Sequence, residues 1–170
     1  MSFERHLICA PKGDHTRARP LTGLLPQTEV LTRKGFKPTS EITPADTVIT
    51  REHGLSPVLT VVIQHARSRL VRFAAKTLNC DDKTRDLPCD ILLPAHQAMR
   101  LRDWRAQALF GKHEARVQAA ALIDNAYVTD DGMQSCEVVQ LWLQTPSTLY
   151  LRCMEVLSAH AFDDHLRPLI

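Results

Sequence analysis

The chain has 170 residues, enough for one ordinary domain with at most a small appendage. Its 21 Lys+Arg against 19 Asp+Glu leave a net charge of +2, with 24% charged and 44% hydrophobic residues. These values exclude wholesale disorder, and so many acids among the bases argue against a dedicated nucleic-acid or membrane-surface binder.

Residues 1–20 carry Lys12, Arg17 and Arg19 between apolar fragments and read as an N-terminal arm. The apolar patch at 7–10 is too short for a signal-peptide core. The longer apolar runs, 58–63 and 119–123, fall far short of the roughly 20 residues of a spanning helix. Pro20, Pro26, Pro38, Pro44 and Pro57 leave no room for a helix between them. The β-branched segments 28–32, 46–50 and 58–63 read as strands instead, with turns at 33–35 and 52–54 where Gly35 and Gly54 sit. Polar–apolar alternation at 69–73 predicts a further strand, and 91–93 is a short apolar run before Pro94. Alanines at 102–110 and 114–124 support short helices. Asp130, Asp131 and Gly132 read as a turn leading into a strand over 137–143. The segment 147–157 reads as a last long extended stretch. Many short strands with regular turn signals predict an all-β domain over 21–158, with one or two short helices and a C-terminal tail at 159–170.

Three segments in this order resemble one family. Leu24-Leu25-Pro26-Gln27-Thr28-Glu29-Val30-Leu31-Thr32-Arg33-Lys34-Gly35 resembles the opening of a Hedgehog/intein (Hint) domain, in which a nucleophile precedes a P-G-T turn and a short strand. Ile42-Thr43-Pro44-Ala45-Asp46-Thr47-Val48-Ile49-Thr50-Arg51-Glu52-His53-Gly54 resembles the family's L-x-P-G-D-x-V-x-T-x-D-x-G segment, with Ala45 in place of glycine. Leu93-Pro94-Ala95-His96 is similar to the bacterial histidine motif S-P-x-H. Asp103-Trp104-Arg105-Ala106-Gln107 and the segment 117–124 also match bacterial Hint-type text, so the resemblance covers about residues 23–157.

The resemblance implies a horseshoe-like β fold whose ends bring the nucleophile and the histidine together. In active relatives a Cys or Ser attacks the carbonyl of the preceding peptide bond, while the histidine helps protonate the leaving nitrogen. The same alignment places Gly23 at the nucleophile and Leu93 at the motif hydroxyl. The family's D-x-H-E pattern meets Gln144-Thr145-Pro146-Ser147, and the only asparagines are Asn79 and Asn125. The expectation is therefore a catalytically degenerate Hint-like domain acting as a binding or structural module. The alternative is residual self-cleavage with Thr22, one residue from the lost nucleophile, and His96 as acid/base. His96 by itself reads as a working acid/base, a vestige or a structural histidine.

Other candidates are weaker in chemistry. His160, Asp163, Asp164 and His165 form a dense cluster that lacks a spaced ligand set, so no metal and no cofactor is expected. Arg67, Arg69 and Arg72, with Arg100, Arg102 and Arg105, could line a basic strip for nucleic acid, but read more readily as wet strand faces or stacking groups beside Trp104. Cys9, Cys80, Cys89, Cys136 and Cys153 contain no C-x-x-C pair, which predicts reduced thiols in a cytoplasmic protein. A protein partner fits the module reading, no membrane partner is expected, and the oligomeric state is not legible.

Overall fold

A computed structural model describes residues 21–75 and 90–159. The expected N-terminal arm lies outside these residues, as do Cys9, Cys80, Cys89 and the His160–Asp164 cluster. Among the described residues, eleven strands and one α-helix follow in chain order: β1 (Glu29–Thr32), β2 (Gly35–Pro38), β3 (Thr47–Thr50), β4 (Gly54–Pro57), β5 (Thr60–Phe73), β6 (Ile91–Pro94), β7 (Ala98–Leu101), α1 (Trp104–Phe110), β8 (Ala115–Gln118), β9 (Val128–Trp142), β10 (Thr148–Tyr150) and β11 (Glu155–Leu157). The fold is all-β, as the pattern of short β-branched runs dictates. One sheet runs β2-β1-β3-β10-β11-β7-β8, with β4 also paired to β3; the other runs β6-β5-β9.

Alternation explains the core. Val30, Val48, Val71, Phe73, Leu93, Met99, Leu149 and Val156 are fully buried and form one cluster drawn from both sheets. Each such side chain stabilises the fold by about 1.5–3 kcal/mol. Leu25, Leu70 and Val138 make a second, smaller cluster beneath the segment that leads into β1.

Several elements differ from expectation. The strands read at 58–63 and 69–73 are one 14-residue strand, β5. The polar stretch between them is paired residue for residue with the equally polar stretch of β9, including His65 opposite Glu137. The backbone ladder continues through this stretch whatever its side chains, so its exposed residues need no apolar cover. Asp130, Asp131 and Gly132 do not reverse the chain. They form a bulge inside β9 opposite Leu70 and Val71, where Gly132 takes φ +77° and Asp131 is the unpaired extra residue. Its carboxylate accepts from Arg72 Nε at 3.0 Å, which fixes the bulge from outside.

The extended stretch read at 147–157 folds back as the β10–β11 hairpin, with Leu151 N–H donating to Met154 O at 2.9 Å. Of the two helical segments, 102–110 contains α1, capped by Asp103 accepting from Arg105 N–H and ended by Gly111 at φ +64°. The segment 114–124 becomes β8 and a 3-10 turn at Ala119–Leu122, because pairing with β7 outweighs alanine's helix preference. Cys136 is free, but Cys153 is disulfide-bonded, so the expectation of reduced thiols fails at that position. No helix among the described residues is long and apolar enough to cross a membrane.

The lead into β9 rests on one carboxylate. Asp124 Oδ1 accepts from the backbone N–H groups of Ala126, Tyr127 and Val128 at 2.9, 2.7 and 2.9 Å. These bonds, Val128 first, hold the carboxyl below its ordinary pKa. Asp124→Ala should lower stability by about 1–2 kcal/mol, read as a fall in the urea midpoint. Asp124→Asn, which keeps the acceptor, should lose less.

Candidate functional site

Two segments far apart in sequence meet on the last turns of β9. The incoming segment 22–24 lies along it: Leu24 N–H donates to Val139 O at 2.9 Å, and Val139 N–H returns a bond to Leu24 O at 2.7 Å. The carbonyl of Thr22 accepts from Gln140 Nε2 at 2.9 Å. The outgoing segment reaches the same edge, where Ala159 makes a parallel bridge with Trp142.

Gly23 stands at the centre. It is buried, at φ +134°, a conformation that side chains rarely adopt. A Cβ there would lie 2.4 Å from Val138 Cγ1 and 3.0 Å from Val139 O. Its N–H donates to Gln97 Oε1 at 2.8 Å. Gln97 Nε2 in turn donates to Ala98 O and Leu157 O, each at 2.9 Å.

The β6–β7 connection explains why glutamine occupies this spot. Gln97 N–H donates to Pro94 O, closing a tight turn with Ala95 and His96 at its centre. The turn leaves His96 exposed and carries Gln97, 2% exposed, into the interior. Thr22 is half-buried, and the side chain on the Gly23 amide is that of Gln97. Leu93, at the motif's hydroxyl position, is fully buried core. No family motif marks Gln97. Its signal was a lone carboxamide between Ala95 and Ala98, one step past the motif histidine.

The peptide bond Thr22–Gly23 is thus held on both sides. A donor faces its carbonyl, as a developing oxyanion would require. On the nitrogen side stands only a neutral acceptor, and no hydroxyl or thiol is attached to residue 23.

Five of the six arginines singled out above have acidic neighbours. Arg69 faces Asp130, Arg72 faces Asp131 and Asp90, Arg100 faces Glu52 and Glu114, Arg102 faces Glu155, and Arg105 faces Asp103. Arg105 turns to Asp103, and Trp104 is 71% exposed. The cation–π contact lies elsewhere, with Arg152 4.5 Å above the Phe36 ring and paired with Glu29. Among the described residues no three His, Cys, Asp or Glu side chains gather as a metal site. A cavity of about 300 Å³, lined by Met99, Leu101, Arg102, Tyr150, Met154 and Glu155 among others, contains none of the residues around Gly23.

The profile of the Hint domain matches residues 22–161, most of the chain, and begins at the incoming segment just described. The chain belongs to the Hint domain family. Among solved structures, the Hint fold is seen in a bacterial intein-like domain from Clostridium thermocellum, at 15% identity and TM-score 0.52. That match covers 82% of this chain and 99% of that one. The gp41-1 intein matches at 12% identity and TM-score 0.48, over 81% of this chain and 98% of that one. The MchDnaB-1 intein matches at 12% and 0.49, over 81% and 99%. No curated protein matches this Hint domain.

Proposed function

We propose that this Hint domain does not cut its own chain at the 22–23 junction and serves as a structural or binding module. The observation that carries this reading is Gly23. Acyl transfer needs an oxygen or sulfur nucleophile on the residue after the scissile carbonyl. Residue 23 has neither, and its φ and its approach to Val138 leave no room for one.

Intact mass spectrometry tests it. Freshly purified protein, held for days with thiol or hydroxylamine, should keep its full mass. A fragment starting at Gly23 would overturn the proposal. One starting at Thr22 would support instead the self-cleavage of Thr22 with His96, since the hydroxyl of Thr22 would attack the carbonyl before it.

A further inference from the structure

The carboxamide of Gln97 joins parts of the chain that nothing local connects. Its Oε1 accepts from Gly23 N–H, 74 positions away, and its Nε2 donates to Leu157 O, 60 positions away. The third bond, to Ala98 O, anchors it on β7. Its orientation is unambiguous. Exchanging oxygen and nitrogen would set Nε2 against the Gly23 N–H, donor to donor, and Oε1 against two carbonyl oxygens. Both Nε2 hydrogens are committed, so Gln97 has none to offer the nitrogen of residue 23.

We propose that Gln97 is a latch: a positioning residue that keeps the incoming and outgoing segments of the uncut chain side by side on β9. The proposal rests on the reading that the Thr22–Gly23 bond persists. Residues 22 and 159 then sit on one edge of the domain. The bonds at Thr22, Leu24 and Ala159 hold each segment to β9 separately; Gln97 bonds to both. A carboxamide has no ionisation in the working range, so the latch is indifferent to pH where an imidazole would open and close.

Residue-resolved hydrogen exchange on the intact chain tests this. In the wild type the Gly23 amide should be strongly protected. Gln97→Met keeps the length and apolar bulk of the side chain but removes all three bonds. It should speed exchange at 23–24 and at 158–159 together by roughly tenfold or more, the factor expected for losing a buried hydrogen bond. A core variant away from the junction, Val48→Ala, should not single out these two segments. Acceleration at one segment alone, at neither, or equally in the Val48 variant would overturn the latch. So would an unprotected Gly23 amide in the wild type, a result that needs no variant to fold. A chain cut at 22–23 overturns the functional reading instead, and mass spectrometry on the same sample separates the two failures.

Discussion

Gly23→Ala is expected to lose about 3 kcal/mol or more of stability, and Gly23→Cys to lose at least as much while remaining uncut. Two costs combine. A φ of +134° strains a residue with a Cβ by about 1–3 kcal/mol. The new Cβ would also meet Val138 Cγ1 at 2.4 Å, Val139 O at 3.0 Å and Gln140 Cγ at 3.1 Å. Val138 is fully buried against Leu25 and Leu70, and Val139 O already accepts from Leu24, so neither can yield cheaply. Overpacking of this kind adds about 1–3 kcal/mol. Val138→Ala in the Gly23→Ala background should return the steric part and leave the backbone part. A Gly23→Ala protein as stable as wild type in urea would refute this account of the junction. A Gly23→Cys protein that cut itself would leave the wild type's inactivity explained by its missing nucleophile, but would refute the lack of room at residue 23 and of a proton for its nitrogen. The thiol alone is not expected to suffice. When the carbon–nitrogen bond breaks, the nitrogen must gain a proton, and Gln97 faces it with an acceptor.

Those two costs also show where sequence and structure part. The motif text placed the lost nucleophile at Gly23 because Pro26 and Thr28 fix the register locally. Why glycine is required there depends on Val138, more than a hundred residues on, and no local pattern announces that contact. The strands of β1 and β3 were legible because β-branched residues alternate over a buried face. The middle of β5 was not, because its polar residues signal a break unless the matching polar stretch of β9 is known. Asp130-Asp131-Gly132 has the chemistry of a hairpin turn and of a bulge alike. Only the ladder to Leu70 and Val71 decides between them. His96 drew attention through its ionisable ring, yet a tight turn alternates what faces in and out within one residue. Gln97 took the inner place, and a glutamine carries no chemical signature of its own.

Glu52 is the same lesson with a measurable consequence. In sequence it belongs to a turn and stands at the second acidic position of the 42–54 motif, with no sign of what it meets. In the fold its carboxylate crosses to β10 and accepts from Thr148 N–H at 2.7 Å and Thr148 Oγ1 at 2.6 Å, with Arg100 3.4 Å away. Thr148 is fully buried, and pairing between β3 and β10 is confined to Leu149 opposite Thr50. Beside that pair and the Arg51 N–H that donates to Thr148 O at 3.1 Å, the join is made by Glu52. Burial pushes its pKa up, but the Thr148 hydrogen bonds, then Arg100, outweigh that and hold it below the ordinary glutamate value. Glu52→Ala leaves two buried donors unpaired and should cost about 2–4 kcal/mol, measured by urea unfolding. Glu52→Gln keeps one acceptor and should cost about half. The sign of the pH effect follows from the lowered pKa. The contribution is complete above the ordinary glutamate range and is lost as pH falls toward the folded value. Asp46, Asp103, Asp124 and Asp131 are lowered as well, so the wild type should weaken on acidification below about pH 4. Glu52→Gln should weaken less steeply over that window, because one titrating group has been removed while the aspartates remain. A Glu52→Gln protein with wild-type stability at pH 7 and an unchanged acid profile would show that Thr148 is held without the charge.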